Sequence, residues 1–449
     1  MNNTRRPTTM ILVIICLSYF MVILDNSIIF TGLPRIEAAM DLSPTGLTWV
    51  QDAYTLVFGG LLLLGARSGD LAGRRRMFII GLVLFASASL LVGLARYDWW
   101  LIAARAFQGV GAAILAPSSL SLLTASFAEG RERARAVAAY SAVAGIGASA
   151  GLVVGGVLAD LVSWRAGFFL NVPIGVAMVV AARRFIGETE RHRGRFDLVG
   201  ALSATLGMTA LVFGIIESSL PAAAVGVVLL VVLVTNEARA EQPIMPLRLF
   251  ADRRRTGAYL VRMLYLGAMI GFFFYTAQYL QGVLGFTALQ AGLAFLPMSA
   301  VNFGVATLVN RFTPIPALIV GVAVTLAGMV WLSRVGAGSD YLTAVALPMV
   351  LIGAGQGLAF APMTSAGLAG AGPADAGAAS GLVNTFHQVG SALGLAVLTT
   401  VAGGGALAGR VEAALTGSSV LLAVALVVVI GLIARGVPSV TPSRRHSRV

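Results

Sequence analysis

Long apolar runs separated by short polar connections dominate the chain, and the length of the runs decides what they form. A helix needs roughly 20 apolar residues to cross a hydrocarbon core about 30 Å thick. Fourteen runs meet or approach that length: 10–34, 48–66, 77–95, 99–123, 136–159, 166–186, 197–217, 222–236, 256–284, 288–309, 314–333, 341–362, 378–402 and 417–436. Only helices and closed barrels satisfy their backbone polar groups in lipid, and these runs lack the strict alternation of barrel strands. The pattern therefore predicts an all-α, polytopic membrane protein with fourteen spans. The eighth run is the shortest and begins directly after Pro221; without it, every later connection would change sides.

Charge placement tests that count. All 31 basic residues are arginine. With the N-terminus inside, the connections on the outer side carry only Arg35, Arg96, Arg165, Arg334 and Arg410. Arg105 and Arg262 fall within spans, and every other arginine lies on the inner side, as the positive-inside rule requires. Both termini are expected to be cytoplasmic, in a multi-pass protein of a bacterial inner membrane. The net charge of +12 does not indicate a nucleic-acid binder, because no basic domain collects it. Hydrophobic residues make up 58% of the chain and charged residues 11%, against roughly 25% charged in soluble domains. Arg5 and Arg6 before the run Met10 to Leu24 resemble a signal peptide, but Asp25 and Asn26 follow where a small-residue cleavage site would stand. An uncleaved first span is expected. Cys16, the single cysteine, has no internal disulfide partner.

A faint repeat links the two ends of the chain. Gln108-Gly109 followed by Pro117 in the fourth span parallels Gln356-Gly357 followed by Pro362 in the twelfth. Gly147 and Gly151 in the fifth parallel Gly390 and Gly394 in the thirteenth. Matching six-helix bundles, residues 1–190 and 251–449, with an inserted hairpin and linker over 191–250, would explain both pairs; frequent glycine is the plainer explanation. Transporters are commonly built from such repeats, with the site between the halves.

No enzyme motif is present: no phosphate-binding loop, no metal-spaced His or Cys cluster, and no nucleophile elbow. No cofactor or metal is expected. The three histidines are His192, His387 and His446. The informative residues are ionisable groups inside apolar runs, each costing roughly 2.5–3.5 kcal/mol at a helix centre on insertion scales. Asp25 lies well inside the first span, Asp52 near the outer end of the second, and Arg105 about a turn and a half into the fourth. Proton coupling at these three is one reading. A static salt bridge, or snorkelling of Asp52 to the interface, is the other. Coupling requires Asp25 and Arg105 to face a hydrated passage.

Polar stripes at helical spacing predict a wet cavity: Asn384, His387, Gln388 and Ser391 on the thirteenth span, Tyr275, Gln278, Tyr279 and Gly282 on the ninth, Arg105 and Gln108 on the fourth. Interhelical hydrogen bonding would give the same pattern. Candidate cavity residues are Asn26, Tyr54, Gln108, Tyr275, Tyr279, Asn384 and His387. Gly147, Gly151, Gly155 and Gly156 would let the fifth span approach or slide against a neighbour. Asp70, Gly73 and Arg74, in the connection after the second span, are candidates for a cytoplasmic gate.

These stretches resemble the fourteen-span drug:proton antiporters of the major facilitator superfamily. The resemblance rests on Leu24-Asp25-Asn26-Ser27 through Leu33-Pro34, Trp49 to Tyr54, Asp70-x-x-Gly73-Arg74, Arg105 to Ala112, Trp164-Arg165, Phe169 to Gly175, and Asn384 to Gly390. It implies export of drugs, antibiotics or related toxic molecules in exchange for protons by alternating access, with the fourth-span arginine in the coupling. Expected partners are protons, the lipid bilayer and a small-molecule substrate, either a lipophilic or cationic drug or a secondary metabolite; the protein is expected to act as a monomer. A facilitator or proton-coupled importer of a small metabolite on the same fold is the alternative. The chain departs from the family pattern at Ala66 and Leu71, at Leu152 after Gly151 where proline is usual, and at His387 where arginine is usual.

Overall fold

The computed structural model describes residues 5–128, 130–188, 197–372 and 375–434. His192, His446 and the first expected bundle boundary lie outside them. Among the described residues there is no strand, and fourteen helical segments are long and apolar enough to cross a membrane. We number them α1 (Thr8–Met40), α2 (Pro44–Gly69), α3 (Arg74–Gly93), α4 (Asp98–Ser126), α5 (Arg131–Leu161), α6 (Trp164–Phe185), α7 (Leu198–Ile216), α8 (Leu220–Arg239), α9 (Arg253–Gly282), α10 (Ala288–Leu308), α11 (Pro314–Leu332), α12 (Leu342–Leu368), α13 (Ala376–Ala402) and α14 (Leu407–Ala434). The doubtful eighth run forms a complete span.

Local chemistry sets where the helices begin. Ser43 caps α2, with Pro44 in the first turn, and Asp197, Ser219 and Asp252 cap α7, α8 and α9. Thr287 and Gln290 form a reciprocal capping box at α10. The helix α6 is interrupted at Leu170, just before Pro173, and α10 at Phe295, just before Pro297.

The packing repeats with an offset of eight helices. Helix α1 packs on α5, α4 and α6, as α9 packs on α13, α12 and α14. The pairs α2–α4, α3–α4 and α3–α6 recur as α10–α12, α11–α12 and α11–α14. Both glycine parallels have equivalent roles. A side chain at Gly109 would strike the Tyr54 carbonyl of α2, and one at Gly357 the Asn302 carbonyl of α10. Gly151 lies against Leu24 and Ser27 of α1, and Gly394 against Gly267 of α9. Close helix approach, rather than glycine frequency alone, accounts for the repeat.

The halves meet along α2–α13, α5–α10 and α1–α9. The hairpin α7–α8 lies outside them, with α7 against both α2 and α13. Trp49 of α2 donates to Glu217 after α7 (3.4 Å), and Thr400 of α13 donates to the Ile215 carbonyl (3.3 Å).

Candidate functional site

An even number of crossings puts residues 5 and 434 on one face, called here the terminal face; the other is the far face. Near the far face the two halves are joined. Asp160, at the end of α5, accepts from Arg35 (2.5 Å) and from the backbone N–H groups of Ala288 (3.1 Å) and Leu289 (2.8 Å), which open α10. Gln281 of α9 donates to the Thr31 carbonyl of α1 (3.2 Å), and Thr48 of α2 meets Thr399 of α13 (3.0 Å). Toward the terminal face α5 and α10 part: the α5–α10 packing is concentrated in the segment Ala288–Ala294, and a Cβ at Gly145 or Gly304 would meet nothing. Helices α2 and α13 stay together there, Gly59 against Gln388 and Gly381 against Leu63.

Asp25 and Arg105 come together inside the N-terminal half. Arg105 donates to Asp25 (3.0 Å), to Gln108 (2.6 Å) and, through Nε, to the Val50 carbonyl of α2 (3.1 Å). Gln108 and Asn171 donate to the other carboxylate oxygen (2.9 and 2.6 Å), and both also donate to Ser89 (2.8 and 3.2 Å). The Tyr54 ring covers the guanidinium at 4.4 Å. The side chains of Asp25 and Arg105 are both 0% exposed. This corrects the expectation of a hydrated passage beside them: in this conformation they form a dry ion pair held by neutral donors. Tyr54, expected in the cavity, is a buried cover on that pair, and Gln108 belongs to its network.

Asp52 is also 0% exposed, and neither carboxyl oxygen meets a hydrogen-bond partner among the described residues. Snorkelling is excluded, because α2 begins at Pro44, a full turn before its apolar run, which draws Asp52 inward.

The ninth-span stripe is a packing stripe. Tyr275 is buried against α13, Tyr279 is buried and donates to the Gly336 carbonyl after α11 (2.7 Å), Gln278 donates within its own helix, and Gly282 abuts Leu407. Neither tyrosine lines a cavity here, because each hydroxyl finds its partner on another element of the same half. The thirteenth-span stripe differs: Asn384 is exposed and His387 half-buried. Asn26 is half-buried and accepts from Gln51 (3.2 Å).

Of the four α5 glycines, Gly147, Gly151 and Gly155 all abut α1, and Gly156 alone faces α10 in the other half, at Ala288 and Leu289. Gly73 has φ +100°, a left-handed conformation that glycine adopts without strain, and joins α2 to α3. Arg74 donates to the Ser121 carbonyl (3.2 Å), and the backbone of Arg75 to Glu188 (3.2 Å), pinning this connection to α4 and to the end of α6. The side chain of Asp70 lies outside the described residues.

Sequence reasoning missed several participants. Asn171 stands at the break in α6, and the Val172-Pro173 that follows it was the available signal. Ser89 and Asp160 gave none, since serine on an apolar helix and aspartate at a span end are both common. Arg262 was noted within a span but given no role. It is 4% exposed, donates to Thr364 of α12 (2.9 Å) and to His387 Nδ1 (3.2 Å), and lies 4.0 Å over the Phe360 ring.

Comparison with known proteins agrees with this architecture. The chain is 41% identical to the cephamycin export protein of Amycolatopsis lactamdurans, over 90% of this chain and 87% of that one. It is 37% identical to the puromycin resistance protein of Streptomyces alboniger (88% and 81% covered) and 35% to the methylenomycin A resistance protein of Streptomyces coelicolor (85% and 83%). A crystallised D-xylose–proton symporter shares the fold, with a TM-score of 0.70 at 14% identity, covering 96% of this chain and 99% of that one. The family description Major Facilitator Superfamily matches residues 15–395. A membrane transporter rather than an enzyme, this chain belongs to the Major Facilitator Superfamily.

Proposed function

We propose that this protein exports antibiotics or related small toxic molecules across a bacterial cytoplasmic membrane in exchange for protons, by alternating access. Its likeness to export and resistance proteins supports the direction and the cargo class. Arginine bias makes the terminal face cytoplasmic, so the joined far face is the outer one. The described conformation is then closed outside and parted inside at α5–α10, the state that loads cargo. Residues 1–190 and 251–449 act as the rocking halves, with 191–250 as the inserted hairpin and linker.

The coupling reading rests on a carboxylate and an arginine that share a network also holding the α2 backbone; both are dry in this conformation, so the proton must reach Asp25 in another state of the cycle. Protonating Asp25 removes the charge that compensates Arg105. The guanidinium must then find another acceptor, because an unpaired buried charge is costly. Arg105 is tied to Val50, and α2 packs on α13 of the other half, so this rearrangement pulls on the seam. Asp52, two residues beyond Val50, is the second coupling group.

Everted vesicles from an efflux-deficient host test the proposal, with compound-induced proton movement followed by a pH-sensitive dye. Wild-type protein should move protons when an exported compound is added and should raise the host's tolerance; a protonophore should abolish both. Asp25→Asn should insert normally and do neither. Transport that survives the protonophore, or unchanged tolerance across a broad toxicity panel, would overturn the reading.

A further inference from the structure

A buried arginine in a membrane protein demands an account of its counter-charge, and Arg262 has none. Its guanidinium contacts are a threonine hydroxyl, a histidine nitrogen and an aromatic face, all neutral as donor geometry requires: an arginine donating to His387 Nδ1 needs the lone pair of an uncharged ring. Among the described residues no carboxylate pairs with it. Its Nε–H meets no acceptor. Of its donors, NH1 is taken up by Thr364, whereas the Nε–NH2 edge makes only the 3.2 Å contact to His387. That edge is the one on which a carboxylate seats with two parallel hydrogen bonds.

Position supports a ligand rather than a structural role. Arg262 lies about 14 Å along α9 from the terminal-face end, counting 1.5 Å per residue. Helix α9 lies on the seam against α1. Its partners Thr364, His387 and Phe360 are all half-buried. They lie on the side of the membrane where α5 and α10 part. The carboxylates that a cationic cargo would need are committed elsewhere: Asp25 to Arg105, and Asp52 sealed at 0% exposure.

We infer that Arg262, flanked by Thr364 and His387, receives an anionic group, a carboxylate in the first instance, of the exported molecule. The inference rests on the export reading and replaces the expected cationic or lipophilic cargo with an acidic one. Closing the halves around such a molecule buries the guanidinium with its charge matched.

Binding to the full-length protein in nanodiscs tests this, using benzylpenicillin, cefoxitin, salicylate and naphthoate, each beside its methyl ester. At least one acid should bind tenfold or more tightly than its ester. Arg262→Gln should erase that preference, while Arg262→Lys, which keeps charge but loses the fork, should reduce it about threefold or more. If Arg262→Gln does not insert, Arg262→Lys alone decides. Equal binding of every acid and ester to the wild type, or a preference untouched by these variants, overturns the inference. Tolerance assays separate it from the export reading. Protection against neutral or cationic compounds without any acid preference leaves export standing and removes the arginine site. An acid preference without protection against any compound does the reverse.

Discussion

Two arginines are buried deep within the spans (Arg255, also buried, sits in the first turn of α9), and the halves treat them differently. Arg105 in the N-terminal half meets a carboxylate, the Gln108 amide that also donates to that carboxylate, and a backbone carbonyl. Arg262 in the C-terminal half meets neutral groups only. The repeat makes the contrast sharper. Arg105 stands four residues before Gly109, and the residue four before the matching Gly357 is Gly353, so the C-terminal half has no charge at this place. Similar scaffolds thus carry one closed electrostatic circuit and one open one. In the proposed function the closed circuit would answer to a proton, and the open one to a molecule that brings its own charge.

The largest effect should come from breaking the closed circuit. Asp25→Asn strands Arg105 in a dry site and should cost about 3–5 kcal/mol of stability, the usual cost of removing one partner of a buried pair. Adding Arg105→Gln should recover most of it, as thermal unfolding of the single and double variants would show. Closing the open circuit is the complementary change. His387→Asp gives Arg262 an internal carboxylate; stability should move by no more than about 1 kcal/mol, since the new charge offsets its own desolvation. Acid binding should fall tenfold or more. A large loss in the first experiment beside a small change in the second would place the difference in the counter-charge and not in the arginines.

Smaller effects bear on the seam where the two halves meet. Asp160→Ala removes the acceptor of two helix-opening N–H groups and of Arg35, and should favour far-face opening by about 1 kcal/mol, a several-fold shift in population. Distances between spin labels on α5 and α10 would register it. The smallest effect belongs to Arg248 and Asp375, a two-pronged pair (2.6 and 3.2 Å) between the linker and the start of α13. Hydrogen bonding to Arg248 holds the Asp375 carboxyl below its ordinary range. A lowered folded value means the contribution is present above the unfolded value and disappears as pH falls through the folded one. Arg248→Ala should therefore lower the unfolding temperature slightly at neutral pH, as expected of an exposed pair, with the difference from wild type vanishing in acid.

Much of this was legible in the sequence, for identifiable reasons. Spans show in a linear sequence because lipid imposes one requirement on every residue of a run, and the arginine bias followed from the same constraint. The meaning of a polar residue did not show, because one helical stripe serves a wet wall or a dry joint equally well. Tyr275 and Tyr279 belong to a stripe with the same i, i+3, i+4, i+7 pattern as the stripe of Asn384 and His387, yet the first two are buried in packing and the last two are not. What separates them is the partner supplied by another helix, Thr399 in one case and Gly336 in another, far away in the sequence. Asn171 and Ser89 escaped for the same reason: each matters through Asp25, more than sixty residues away in either case.

The hairpin's double attachment carries one more consequence. It is tied to Trp49 on one half and Thr400 on the other, so any rocking about the α2–α13 line must be absorbed at α7. Lipid tails would otherwise wedge into that line each time the angle between the halves changed. Under the proposed rocking, α7 would serve as a gasket over the pivot, with the exposed apolar side chains of α8 outermost.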